Sequence, residues 1–88
     1  MMTNPFHPGE ILLEEFLNPA GLTQTAFAKR LGWARPRLNA FIKGKYNVTA
    51  ATALDLAEAT RTTAKFWMNL QATWDLAHVI KTRKRKAA

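Results

Sequence analysis

Hydrophobic residues recur along this chain at three- and four-residue intervals, and no stretch alternates apolar and polar positions between turn markers. That pattern predicts helices and no strands. The first helix begins after His7, with Pro8 in its first turn and Glu10 near the positive end of the helix dipole. It stops at Asn18-Pro19, and Ile11, Leu12 and Phe16 form its inner face. Thr23 is a good N-cap for a second helix, with Leu22 and Phe27 spaced as a hydrophobic staple and Phe27, Ala28 and Leu31 pointing inward. A third runs from near Ala34 to Gly44, burying Leu38, Phe41 and Ile42. Thr49 caps a fourth with a narrow apolar stripe of Ala53, Leu54 and Ala57, and Thr62 or Thr63 starts a fifth that runs to about Ile80. The expected architecture is all-α: one five-helix domain over residues 1–80, followed by a flexible basic tail over 81–88.

The fifth helix holds more apolar residues than one stripe accommodates. Phe66, Leu70, Trp74 and Ala77 recur at core spacing. Trp67, Met68, Leu76 and Val79 are then left as an exposed apolar patch, which predicts a homodimer interface. A two-fold dimer of small domains also answers a question of stability. The 88 residues include no cysteine, so neither a disulfide nor a thiolate metal site supports a core this small.

Charge changes the picture further. The formal net charge of +7 is concentrated in two blocks. Residues 29–45 carry Lys29, Arg30, Arg35, Arg37, Lys43 and Lys45 and no acid, and residues 81–88 carry Lys81, Arg83, Lys84, Arg85 and Lys86. The first 28 residues hold only Glu10, Glu14 and Glu15 as charged groups. Blocks of this kind suit a polyanion partner. The tail is also readable as a solvated end or as a contact with anionic lipid. The internal block is more informative, because its charges alternate with apolar residues at helical spacing.

That block lies in TQTAFAKRLGWARPRLNAFIKGK, Thr23 to Lys45. Two short helices joined through Leu31-Gly32-Trp33 fit a helix-turn-helix, with glycine free to take a positive φ and Ala28 small enough for close helix approach. The outer side of the second of these helices has three cations, an amide and no carboxylate, as a major-groove reader requires. Arg35, Arg37 and Asn39 are the candidate base readers, since arginine pairs bidentately with guanine and asparagine with adenine. Lys43, Lys45 and Thr25, at the helix ends, are candidates for phosphate contacts.

The same stretch resembles the λ-repressor (XRE-type) helix-turn-helix. The likeness extends to the HigA antitoxins of bacterial toxin-antitoxin modules through HPGEILLEEFLNPAGLTQ at 7–24, the GK-x-x-x-T-A-x-T-A-L-x-L-A pattern from Gly44 to Ala57, and FWMNLQ-x-x-W-D-L from Phe66 to Leu76. The resemblance implies a homodimeric repressor that binds the palindromic operator of its own operon and neutralises a RelE-like mRNA endonuclease toxin. It places Gln24 where the family's glutamine touches a phosphate and braces the start of the reading helix. It places Arg35, Pro36, Arg37, Asn39 and Ala40 on the surface turned toward bases. Two positions depart from the pattern. Ala34 stands where relatives have a capping side chain, and Trp33 replaces a smaller aliphatic residue, so Trp33 packing on Leu38 is expected to hold the start of that helix.

RelE-like toxins are basic RNA-binding proteins, which makes Glu10, Glu14 and Glu15 a candidate toxin contact; an ordinary solvated face is the alternative. Catalysis finds no support: the chain has no serine or cysteine, and His7 and His78 are far apart without a recognisable carboxylate motif. No cofactor or metal is expected, because the Asp75–His78 pair would need two further ligands. No signal peptide or span of about 18 apolar residues is visible, so a cytoplasmic protein with no membrane role is expected. Three functions remain open at this level: an antitoxin, a stand-alone or prophage-type repressor without a toxin, and a protein-binding module without DNA affinity.

Overall fold

A computed structural model of the chain describes residues 6–87, with side chains as far as Arg83. The described residues form helices and turns without a strand, as the periodicity predicts. Helix α1 is built from three continuous pieces, Pro8–Leu12, a π-helical turn at Leu13–Leu17, and Asn18–Ala20. It is followed by α2 at Gln24–Leu31, α3 at Arg35–Ile42, α4 at Ala50–Thr60 and α5 at Ala64–Ala87. Side-chain hydroxyls set three of the starts. Thr23 Oγ1 accepts from the Ala26 N–H at 3.1 Å, Thr49 Oγ1 from Thr52 at 3.2 Å, and Thr63 Oγ1 from Phe66 at 3.1 Å.

Helix α1 departs from its predicted form. It continues past Asn18-Pro19 because the Asn18 N–H bonds the Leu13 carbonyl, five residues back. Pro19 has no N–H to give and its ring crowds the preceding turn of a regular helix, so a wider turn suits it. The same turn sets the buried face. Leu12 and Leu17 are both fully buried although five positions apart, a spacing that rotates a residue by roughly 140° in a regular α-helix. The expected line of Ile11, Leu12 and Phe16 is therefore corrected: Ile11 and Phe16 are half-buried, and Leu17 takes the inner place.

At the other end of α1, His7 is the N-cap, its Nδ1 accepting from the Gly9 N–H at 3.0 Å. Its ring is buried, edge-on to Phe41 of α3 and to Trp74 of α5 at centroid distances of 5.9 and 5.1 Å. Gly9 allows a close helix approach. A Cβ there would overlap the Phe41 carbonyl oxygen and fall 2.9 Å from the Ile42 Cα. The first turn of α1 thus lies directly on the last turn of α3.

Three further expectations change. On α4 the buried residues are Thr52, Ala53 and Leu56, while Leu54 is 63% exposed, because it sits about 100° from Ala53 on a helix that buries one narrow side. On α5 the inner stripe is Trp67, Leu70, Gln71 and Trp74. Trp67 is 0% exposed and donates its indole N–H to Thr62 Oγ1 at 2.8 Å, whereas Phe66, expected in the core, is 37% exposed. The phase differs because a polar residue occupies the core line. Buried Gln71 accepts the Val48 N–H at 2.7 Å and donates to Asp75 at 2.8 Å and Asn47 at 3.3 Å, fastening the α3–α4 loop to α5. Helix α5 also runs through the basic segment to Ala87 instead of stopping near Ile80. That segment contains neither Gly nor Pro, and its cations complement the negative end of the helix dipole. At 24 residues, roughly 36 Å of helix, α5 supplies most of the 46 Å length of a molecule 22 × 21 Å across.

These contacts give two expectations. Helix propensity alone favours Gly9→Ala by about 1 kcal/mol, but the overlap with Phe41 reverses the sign, and denaturant unfolding should show a loss of about 3 kcal/mol. A stabilised variant would contradict the close approach. Burial pushes the His7 imidazole below its ordinary value, and a nearby Tyr46 backbone group with the Asp75 and Glu10 carboxylates offsets this only in part. The folded state therefore binds the proton less readily than the unfolded chain. The His7 contribution is complete above about pH 6.5 and declines as pH falls through that value toward the lower folded one. His7→Asn retains a cap without titrating. Its thermal stability should lose this acid-dependent component, and an unchanged pH slope would exclude His7 as its source.

Candidate nucleic-acid interface

The α2–α3 unit is assembled from short elements that support one another. Helix α2 ends at Gly32, which takes the left-handed conformation at φ 76°, and its N–H returns to the Ala28 and Lys29 carbonyls. Three residues of turn then lead to α3, whose N-cap Ala34 supplies no side-chain hydrogen bond. Trp33 does the holding instead. Its indole N–H donates to Asp55 Oδ2 of α4 at 2.9 Å, and its ring meets Phe41 edge to face at 5.9 Å. Leu38, the expected packing partner, lies in the same buried cluster, but the specific partners of Trp33 are Asp55 and Phe41.

With Leu38 and Phe41 inside, α3 turns Arg35, Pro36 and Arg37 to solvent, and Asn39 and Ala40 are half-buried beside them. Lys43 and Lys45 are exposed just beyond the helix end, and Thr25 is exposed on the first turn of α2. Gln24 and Asn39 meet: the Asn39 Nδ2 donates to Gln24 Oε1 at 3.2 Å. The glutamine thus contacts the second half of α3, not its start. Arg37 is not freely extended, since its guanidinium carbon lies 3.9 Å from the centroid of the Trp33 ring. From Lys29 to Lys45 the chain holds six cations and no carboxylate; the nearest acids come from α4, Asp55 on Trp33 and Glu58 beside Arg30.

The other predicted surfaces sort differently. Trp67 cannot serve as an interface residue in the folded monomer, because it is enclosed in the core. Met68, Leu76 and Val79 are exposed on α5, with Leu76 at 62%, and Ala72 continues their line. Glu10, Glu14 and Glu15 are exposed around a shallow groove that Phe6 and Ile11 also line. Asp75 and His78 face separate partners: Asp75 accepts from Gln71, and His78 stacks on Trp74 at 4.6 Å. Among the described residues no group of three His, Asp or Glu side chains could hold a metal ion, and no helix is long and apolar enough to cross a membrane. Residues the sequence reading did not single out are Gly9 and Gln71, together with Asp55 as a partner of Trp33. The HPGE run was a signal for the first; a glutamine amid an apolar helix was one for the second.

This geometry, two short helices joined at a left-handed glycine with the cationic side of the second turned outward, defines a helix-turn-helix protein. A family model described as helix-turn-helix matches residues 13–67. Virulence-associated protein I of Dichelobacter nodosus is 43% identical over 70 residues, covering 80% of this chain and 65% of its own. Antitoxin HigA-1 of Vibrio cholerae is 40% identical over 72 residues, covering 82% and 68%. The chain thus spans about two thirds of the length of these relatives. The Pseudomonas aeruginosa antitoxin HigA, solved with the higBA promoter, superimposes with a TM-score of 0.86 at 33% identity, over 96% of this chain and 91% of that one. The chain belongs to the XRE-type helix-turn-helix family, in its HigA group.

The Gln24–Asn39 bridge is partly exposed, so Gln24→Ala should lower unfolding free energy by only about 0.5–1.5 kcal/mol while shifting the Asn39 side-chain amide resonances. Unmoved Asn39 signals would rule the bridge out in solution.

Proposed function

We propose that this protein is the antitoxin of a toxin-antitoxin module: a dimeric, cytoplasmic repressor that binds the palindromic operator of its own operon and neutralises a RelE-like mRNA endonuclease by direct contact. The observation that carries the reading is the outward face of α3, where Arg35, Arg37 and Asn39 share a surface without a carboxylate. Such a helix docks in the major groove with arginine and asparagine at base edges. Pro36 and Ala40 lie against the bases, and Gln24, Thr25, Lys43 and Lys45 grip the flanking phosphates. Support comes also from the HigA of P. aeruginosa, which was solved with a promoter.

The exposed stripe of Met68, Leu76 and Val79 pairs two copies, setting their reading helices roughly 34 Å apart, one turn of DNA. The acidic rim of α1, Glu10, Glu14 and Glu15, faces the basic toxin. The helical segment after Ile80 extends the positive field beyond the domain of residues 1–80.

The test uses DNA from upstream of the gene and the product of a cotranscribed neighbour. Wild-type protein should retard the upstream fragment, and Arg35→Ala should lose about 1–3 kcal/mol of binding with relaxed base preference. The neighbouring protein, toxic alone, should be neutralised and co-purify with this chain. Operator binding with no such partner would leave a stand-alone repressor, and absence of any sequence-specific binding would leave a protein-binding module.

A further inference from the structure

Arg37 differs from the other cations of α3 in having a fixed seat, and the seat is itself anchored. Trp33 is only 7% exposed, so its indole is part of the core and cannot swing with the arginine. Its N–H is committed to Asp55 at 2.9 Å and its ring is wedged edge-on against Phe41. The guanidinium lies 3.9 Å over that ring, at cation–π distance. A carboxylate accepting the indole N–H raises the electron density of the ring and strengthens its hold on a cation. Arginine is suited to this arrangement: a delocalised, weakly hydrated guanidinium rests on an aromatic face and keeps its N–H donors at the periphery. Arg37 itself remains exposed, so those donors are available to a ligand.

We propose that Trp33 is a positioning residue for DNA recognition: a relay from Asp55 through Trp33 to Arg37 fixes the guanidinium before binding, so that base preference at one operator position depends on a core tryptophan. The inference rests on the proposed operator-binding role. The relay makes Arg37 preorganised, which lowers the ordering penalty of a bidentate contact and narrows the set of bases it can satisfy. Arg35, one helical position from a cap that makes no side-chain bond, has no such platform.

A double-mutant cycle on operator binding tests the relay. Trp33→Leu should weaken binding about tenfold and flatten preference at the same base pair as Arg37→Ala. In the Arg37→Ala background the Trp33 substitution should lose clearly less than in the wild type and leave the remaining base preference unchanged, the residual loss coming from its hold on the start of α3. Should Trp33→Leu fail to fold, Trp33→Phe takes its place in the cycle, with a loss of about threefold. Additive effects, or loss of preference at different base pairs, would overturn the proposal.

A second measurement needs no DNA. In the free wild-type protein the Arg37 side-chain NεH resonance should lie upfield of the other arginines through the indole ring current, and should return among them in the Trp33 variant. A wild-type resonance already among the others would overturn the relay. Failure of the wild type to bind the operator would instead overturn the function on which the relay rests, with the resonance still deciding whether the seat exists.

Discussion

The placement of α3 depends on backbone meeting backbone at Gly9. An eight-residue helix has no stability of its own in water, and α3 is started by an alanine that offers its amides nothing. It exists because neighbours hold it. From α1, Gly9 lets the chain press on Phe41 and Ile42, with His7 capping the turn that presses. From α2 comes the Gln24–Asn39 bond, and from α4 the Asp55–Trp33 bond. Supported on these sides, the helix leaves its cationic face unencumbered, and the exposure of Arg35 and Arg37 is a by-product of how the helix is kept in place.

Helix α5 has the opposite problem, an excess of apolar surface. Trp67 and Leu70 satisfy the interior, and Gln71 uses the interior to tie down the loop that follows α3. A buried glutamine is tolerable only if its polar atoms are engaged, and here the Val48 amide, Asn47 and Asp75 engage them. Of the apolar residues left exposed, which also include Phe66 and Ile80, Met68, Leu76 and Val79 gather on one outward line. The cationic face of α3 and the apolar line therefore belong to different helices, tied together by the Gln71 clamp on the loop around Val48 and by His7 between Phe41 and Trp74.

The helix-turn-helix was legible because its signals are local: Thr23 and Thr49 cap through their own hydroxyls, Gly32 adopts the positive φ its position demands, and Leu38 and Phe41 are three apart. The exposed α3 cations were legible for the same reason, since charge without a nearby apolar partner goes to solvent. What escaped is tertiary. Nothing in a periodicity favours Trp67 over Phe66 until Gln71 is known to be inside, and Leu54 outranks Leu56 only if the helix face is guessed. The seat of Arg37 needs Asp55, eighteen residues away in sequence, and cannot be inferred from spacing. Gly9 reads as an ordinary helix-start residue until the oxygen it approaches is located.

The π-turn at Leu13–Leu17 carries one more residue than a regular helix would use to cover the same rise. Its natural counterpart is thus a deletion, not a substitution. Removing one residue there would regularise the hydrogen-bond ladder and leave Leu12 and Leu17 four apart, still on one side of the helix; the cost falls on Pro19, whose ring crowds the preceding turn of a regular helix. Pro19, not the buried face, therefore sets the chain length of this segment, and the shorter form suits a chain without proline at that position.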